Sequence, residues 1–402
     1  MRVAVFHNLP SGGAKRSLLE WTRRLAIDHT VDVFTLSTAD HAFCDLRPVV
    51  RQHEVFEWTP RRLFTSPFGR LNQVQRWRDL RGLERVSEAI AHRINTGGYD
   101  ILFANPCART FIPALLQHVT IPSAYYLHEP VGPGFPPVIA RPYLESSGLR
   151  RVADAIDPLI GLYRRRLTET QLTSLESVTV LLSNSAFTSQ CMAAAHGVNP
   201  QVCPLGVDTG MFQPADASRR EPYVLSVGEL TPRKGFDFLV ESLALVRADL
   251  RPTLKLACNT VRDDERDYVE RLAKARDVRL DIVSHVDSGE MAQLHHRSLF
   301  CVYAPVMEPF GLVPLEAMAC GRAVVGVREG GVAESVIDGE TGLLVERSRE
   351  RFARAVETLV SNPEQADAYG RQGRAHVLRN WTWERSTHQL ASLLRACVAE
   401  RH

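Results

Sequence analysis

Along the chain, short unbroken apolar runs alternate with longer segments in which apolar positions recur every three or four residues. The runs at 3–6, 31–36, 101–104, 123–127, 178–183, 223–227, 253–257, 280–283 and 299–303 have strand length. They lack polar alternation, the pattern of strands covered on both faces. Helix-length segments between them act as crossovers, so parallel sheets flanked by helices are expected and the fold class is α/β. The polar stretch 213–222, bracketed by Pro214 and Pro222, reads as a linker. A strand pattern restarts after it, which places two doubly wound domains over 1–213 and 222–380. A last helix runs from the N-cap-like Thr382 to about Val398, with Leu390, Leu393, Leu394 and Val398 as its apolar positions.

The run at 299–303 leads into Glu308-Pro309-Phe310-Gly311-Leu312-Val313-Pro314-Leu315-Glu316. Helical periodicity starts at about Gly311, so Glu308 falls in the turn and Glu316 one to two turns into the helix. The amides of Phe310, Gly311 and Leu312 would be free at the helix N-terminus, where unpaired N–H groups and the macrodipole attract phosphate. Gly311 lacks a Cβ and allows a ligand to approach the backbone. Acid, amide nest and second acid together suit a sugar nucleotide: one carboxylate for sugar hydroxyls, amides for the diphosphate, one carboxylate for ribose. Taken alone, the pair reads more simply as a loop acid and a solvated helix acid.

The surrounding motifs change that balance. Downstream lie Ala319-Cys320-Gly321-Arg322-Ala323-Val324-Val325-Gly326, Glu329-Gly330-Gly331-Val332-Ala333-Glu334 and Asp338-Gly339-Glu340-Thr341-Gly342-Leu343-Leu344-Val345; upstream lies Val227-Gly228-Glu229-Leu230-Thr231-Pro232-Arg233-Lys234-Gly235. In order and spacing the chain resembles the retaining glycosyltransferases of family four. Their GT-B fold sets two Rossmann-like domains across a cleft, with a last helix that crosses back to the first domain. The likeness is dense over 223–345. It is thinner but continuous in the N-terminal half, at Gly12-Gly13, Leu127-His128-Glu129, Ser183-Asn184-Ser185 and Pro204-Leu205-Gly206-Val207-Asp208.

The resemblance implies transfer of a hexose from a nucleotide sugar to a hydroxyl of a lipid-linked, polysaccharide or small-molecule acceptor. It implies retention of configuration, no metal held by a DxD motif and no cofactor besides the donor. A leaving phosphate oxygen would take the acceptor's proton, so no separate base is required. Lys234 matches the family lysine that meets the diphosphate. The family arginine commonly follows the strand-end glycine, where this chain carries Glu229. Arg233 is the substitute; the alternative is a weakened or differently tuned site. Glu308 corresponds to the acid that addresses the donor sugar, and Glu316 to the acid that holds ribose. The amides of Phe310, Gly311 and Leu312 are assigned to the phosphates and sugar. Gly12 and Gly13 either meet the diphosphate from the other side of the cleft or only form a tight turn. His128, at the carboxyl edge of a strand, would orient the sugar and stabilise charge at the reacting carbon. Glu129 either helps position the acceptor or gives structural support.

Composition sets bounds on this reading. The 402 residues are 45% hydrophobic and 23% charged, values of a globular protein with room for two cores. A formal net charge of +2 argues against a strongly electrostatic polymer-binding role, and no nucleic acid is expected. The eight cysteines form no C-x-x-C pair and read as reduced packing residues. A strand pattern at residues 3–6 leads to the expectation that no signal peptide precedes the fold, and no apolar run approaches the ~18 residues of a spanning helix. A cytoplasmic location is expected, peripheral on the inner face of the cell membrane if 61–81 binds it. That segment reads as a helix in which six arginines, with Asp79 as the one acid, interleave with Leu63, Phe64, Phe68, Leu71, Val74, Trp77 and Leu80. It suits either an anionic bilayer surface or a solvated domain edge. A second addition, 131–166, reads as an acceptor lid or as a plain helical insertion. For the donor, GDP-mannose or a UDP-hexose ranks first. The competing readings are a sugar-nucleotide epimerase of the same fold and a donor-binding subunit with weakened catalysis, the latter resting on Glu229.

Overall fold

The computed structural model describes residues 1–65, 71–132, 135–144, 157–214 and 220–399. In chain order the strands are β1 Arg2–Asn8, β2 Thr30–Leu36, β3 Gln52–Phe56, β4 Ile101–Cys107, β5 Ser123–Leu127, β6 Val180–Ser183, β7 Gln201–Val202, β8 Tyr223–Val227, β9 Thr253–Ala257, β10 Leu280–Val283, β11 Cys301–Tyr303, β12 Val324–Val327 and β13 Gly342–Val345. The helices are α1 Gly13–Asp28, α2 Asn72–Thr96, α3 Pro158–Glu176, α4 Ala186–His196, α5 Phe236–Ala244, α6 Asp263–Ala275, α7 Ser288–Arg297, α8 Leu312–Ala319, α9 Val332–Ser335, α10 Arg349–Ser361, α11 Pro363–Asn380 and α12 Trp383–Ala399.

The strands form two sheets, ordered β3-β2-β1-β4-β5-β6-β7 and β10-β9-β8-β11-β12-β13, paired in parallel. Each order reverses once, between β1 and β4 and between β8 and β11. At such a reversal the adjoining connections leave to opposite faces and open a crevice at the strands' carboxyl ends. The α/β class and the two Rossmann-like lobes of the GT-B arrangement are therefore present.

Both faces of the sheets are covered. On β1, Val3 and Val5 pack with Leu18, Trp21 and Leu25 of α1, while Ala4 and Phe6 turn to Phe34, Leu36 and Tyr125 on the other side. In the second lobe Val224, Leu254, Leu256, Val302 and Val325 pack with Phe236, Leu239, Phe352 and Val356.

The last helix, α12, returns to the first lobe. Leu390, Leu394 and Cys397 are buried against α1, β4 and β5. Each such leucine contributes roughly 1.5–3 kcal/mol by leaving water. Trp383 meets Trp21 edge-on at 5.8 Å, and the Trp21 indole N–H donates to Ser386 Oγ at 2.9 Å. Thr382 Oγ1 accepts from the Arg385 amide, as an N-cap does. Leu393 and Val398 are only partly buried.

Several expectations are corrected. β3, β7, β12 and β13 had not been expected; the strands read at 178–183 and 299–303 begin at Val180 and Cys301. The arginine-bearing segment is not one helix from residue 61: 57–65 has no regular secondary structure and the helix begins at Asn72. Pro60 disfavours helix just before it, and the Arg61 amide is taken by Asp79 of α2 at 3.0 Å. Phe68 and Arg70 of that segment lie outside the described residues, as do 215–219 of the linker and 133–134 and 145–156 of the 131–166 insertion. Among the described residues no helix is long and apolar enough to cross a membrane.

Candidate active site

The carboxyl ends of both sheets open onto one cavity of about 870 Å³ between the lobes. Its lining brings together Gly12, Gly13, His128, Glu129, Arg233, Lys234, Glu308, Phe310, Gly311, Leu312 and Glu316, the full set of candidates read from the sequence. Glu229 is there too, exposed and without a charged partner among the described residues.

Two helix N-termini point into this space. In the first lobe Gly12 is the N-cap of α1; in the second Gly311, with φ 92°, is the N-cap of α8. Neither cap supplies a side-chain acceptor, so the first-turn amides of both helices remain available to a ligand. A Cβ placed on Gly13 would lie 3.9 Å from Leu312 Cδ1, which measures how nearly the two ends meet.

The cations come from the turn after β8. Pro232–Lys234 forms one turn of 3₁₀-helix, closed by Gly235 at φ 67°. A Cβ on Gly235 would come within 2.1 Å of Ala304 O, so only glycine lets this turn lie against the end of β11. The Val306 amide donates to Arg233 O at 2.8 Å and fastens the turn to the loop that carries Glu308. Lys234 extends over Gly228, and its Nζ donates to Glu308 Oε2 and Oε1 at 2.9 and 3.1 Å. Tyr303 is buried beside Glu308; burial, then the Glu308 charge, pushes that phenol's pKa well up.

Other charge pairs cross the cleft. Arg233 reaches Glu129 Oε2 at 3.5 Å, and Arg16 of α1 donates to Glu316 Oε1 at 3.2 Å. Glu316 is buried, and desolvation raises its carboxyl pKa, opposed by the Arg16 charge. His128 is half-buried against Tyr126, ring centroids 4.7 Å apart, and near Trp21. Burial depresses its pKa far below the ordinary imidazole value, so the ring is neutral at pH 7. Its Nε2 lies 3.2 Å from the Asn105 side-chain amide, which holds the ring in place. Beside the cavity Ser185 Oγ donates to Pro309 O at 2.5 Å. The Glu334 carboxylate accepts from the amides of Ala186 and Phe187, capping α4 from the opposite lobe.

Arg16, Tyr303, Asn105 and Glu334 were given no role in the sequence reading. Glu334 closes a quoted motif and Arg16 follows Gly12-Gly13 closely, but neither signals a partner in sequence, since their partners lie 300 and 148 residues away.

Two Rossmann-like lobes facing across a cleft are the GT-B fold. The chain covers 100% of sucrose-phosphate synthase from Thermosynechococcus elongatus over its own full length, with a TM-score of 0.76 and 22% identity. It also aligns with Anabaena HepE in complex with UDP and glucose, TM-score 0.69 and 20% identity, over 98% of this chain and 100% of that one. These likenesses establish the fold. Residues 210–376 match the family of glycosyl transferases group 1. Among curated relatives, the GDP-mannose-dependent alpha-(1-6)-phosphatidylinositol monomannoside mannosyltransferase of Mycolicibacterium smegmatis is 27% identical, over 86% of this chain and 91% of that protein. The alpha-maltose-1-phosphate synthase of Mycobacterium tuberculosis is 29% identical over 60% of this chain and 69% of that protein.

Proposed function

We propose that the protein is a retaining, metal-independent glycosyltransferase that moves a hexose from a nucleoside diphosphate sugar to an acceptor hydroxyl. One observation carries the reading: two opposed helix N-termini and the Arg233–Lys234 turn converge on a single cavity that also holds Glu308 and Glu316. A departing diphosphate gathers negative charge, and fixed dipoles and cations around it lower the barrier.

In the structure the cations are held by carboxylates, Lys234 by Glu308 and Arg16 by Glu316. An entering diphosphate would take over these cations. Glu308 would then be free for the sugar hydroxyls and Glu316 for the ribose, both as hydrogen-bond acceptors. Neutral His128 would orient the sugar at the first lobe's edge, and Arg233 would substitute for the cation missing where Glu229 stands. Retention would follow from attack on the leaving-group face, with a phosphate oxygen taking the acceptor proton.

GDP-mannose or a UDP-hexose is the proposed donor. The acceptor is a lipid-linked, polysaccharide or small-molecule hydroxyl; the mannosyltransferase relative is named for a phosphatidylinositol monomannoside. Exposed Leu63, Phe64 and Leu71 beside Arg61 and Arg62 support a peripheral site on the cytoplasmic face of an anionic membrane. Salt-sensitive sedimentation with anionic vesicles tests this part, and no binding at low salt removes it.

A second reading has one observation in its favour. Exposed, unpaired Glu229 would repel diphosphate, as in a donor-binding subunit with weakened turnover. A thermal-shift panel of UDP, GDP, ADP and TDP followed by hydrolysis and transfer assays with the matching sugar nucleotides decides between them. Stabilisation by one nucleotide together with turnover supports the enzyme; stabilisation without turnover supports the subunit.

A further inference from the structure

Beyond the loop that carries His128 and Glu129, the described residues 135–144 leave the first lobe and cross to the second. Pro137, Val138, Ile139 and Leu144 of this strap wall the cavity. Its attachment is Arg141, 5% exposed. The guanidinium donates to both oxygens of fully buried Glu265 at 3.0–3.2 Å, pairs with Asp237 Oδ1 at 3.0 Å and reaches Pro232 O at 3.4 Å. It also lies over the Tyr268 ring, 5.0 Å from the centroid, and the Tyr143 hydroxyl donates to Glu265.

A buried ion pair is costly unless its hydrogen bonds are complete, and breaking one side leaves an uncompensated charge. Here Nε, Nη1 and Nη2 are all engaged, Nη1 with Ala140 O at 3.3 Å. The partners are not scattered. Pro232 opens the turn that bears Arg233 and Lys234, and Asp237 lies in the first turn of α5 just after it. From the same stretch of the first lobe, Glu129 touches Arg233 itself. The loop and strap together therefore hold the cation-bearing turn at its beginning, middle and end.

We propose that Arg141 is a positioning residue: it latches the strap across the cleft and sets the Arg233–Lys234 turn for the diphosphate. Loss of the guanidinium frees the strap, opens the cavity to water and loosens both cations. This inference rests on the cavity being a nucleotide-sugar site, but the latch itself does not.

The test uses the full chain with Arg141→Gln, Arg141→Lys and Glu265→Gln. Backbone amide exchange over 135–144 is measured beside calorimetric binding of UDP and GDP. In Arg141→Gln and Glu265→Gln the Phe135 and Leu144 amides, the hydrogen-bonded ones of the strap, exchange at least about tenfold faster while β1 and β4 keep their protection. Affinity for the preferred nucleotide falls about tenfold, as a displaced contact turn implies, with Arg141→Lys intermediate because an ammonium lacks the planar fork. Unchanged exchange in folded variants overturns the latch. Faster exchange with wild-type affinity overturns the positioning role and leaves a structural clip. Should the wild-type chain bind neither UDP nor GDP, the reading of the cavity fails, and the exchange rates still decide whether the latch exists.

Discussion

The two walls of the cleft share a strand order yet hold their charges differently. On the second lobe, Lys234 and Glu308 pair at 2.9 Å within that lobe, on turns tied by Val306 and Gly235. Arg16 and Glu129 of the first lobe have side chains 39% and 43% exposed, and both spend their contacts on the opposite lobe. A wall that is set before its ligand arrives suits the invariant diphosphate. Side chains that reach out and can be re-paired suit closure around a donor and the admission of an acceptor.

The sharpest way to break this comparison is Lys234→Ala. Removing one preorganised charge at a leaving group costs about 10²–10³-fold in turnover. Donor hydrolysis and transfer rates check it, with a thermal melt to show that the fold persists.

Glu316→Gln comes next. Losing a charged hydrogen bond to ribose costs roughly 1.5–3 kcal/mol, about 10–100-fold in nucleotide affinity by calorimetry. A pH series adds the sign. Burial raises the Glu316 pKa, so the accepting anion is present above that value and lost as pH falls through it. Wild-type affinity should therefore decline on acidification with a midpoint above the ordinary glutamate value of about 4.3, and Glu316→Gln should lack that step.

Arg16→Gln probes the first-lobe wall and should do less, because its partly exposed pair is worth at most about 1 kcal/mol. It should move the acidic midpoint of nucleotide binding upward, since the Arg16 charge is what opposes the burial effect on Glu316. The smallest change is Glu229→Gln. Removing an exposed acid beside the diphosphate should tighten nucleotide binding a few-fold at low salt and less at high salt, as screening requires.

Much of the second lobe could be read in advance because its chemistry is local. Glu308, Gly311 and Glu316 fall within one turn and helix, and Arg233-Lys234-Gly235 within one loop. The strands β12 and β13 escaped notice because glycines interrupt or open their apolar runs, as Gly326 and Gly342 do. β3 carries Gln52 and Glu54 on an exposed edge and so lacks the signature of a covered strand. The first lobe's contributions depend on closure. Arg16 looked like any helix arginine until Glu316 was placed beside it, and Arg141 gave no sign of Glu265, 124 residues further on. Long-range pairing of charges leaves no periodicity to detect.

The central claim is that a diphosphate sits between the N-termini of α1 and α8 against Lys234. A crystal structure of the chain with UDP or GDP, whichever stabilises it more, examines this directly. The account predicts phosphate oxygens within hydrogen-bond reach of Lys234 Nζ and of the first-turn amides of α8, with Glu308 released from the lysine. A nucleotide bound elsewhere, or one in the cavity with Lys234 still paired to Glu308 and its phosphates turned to solvent, would contradict it.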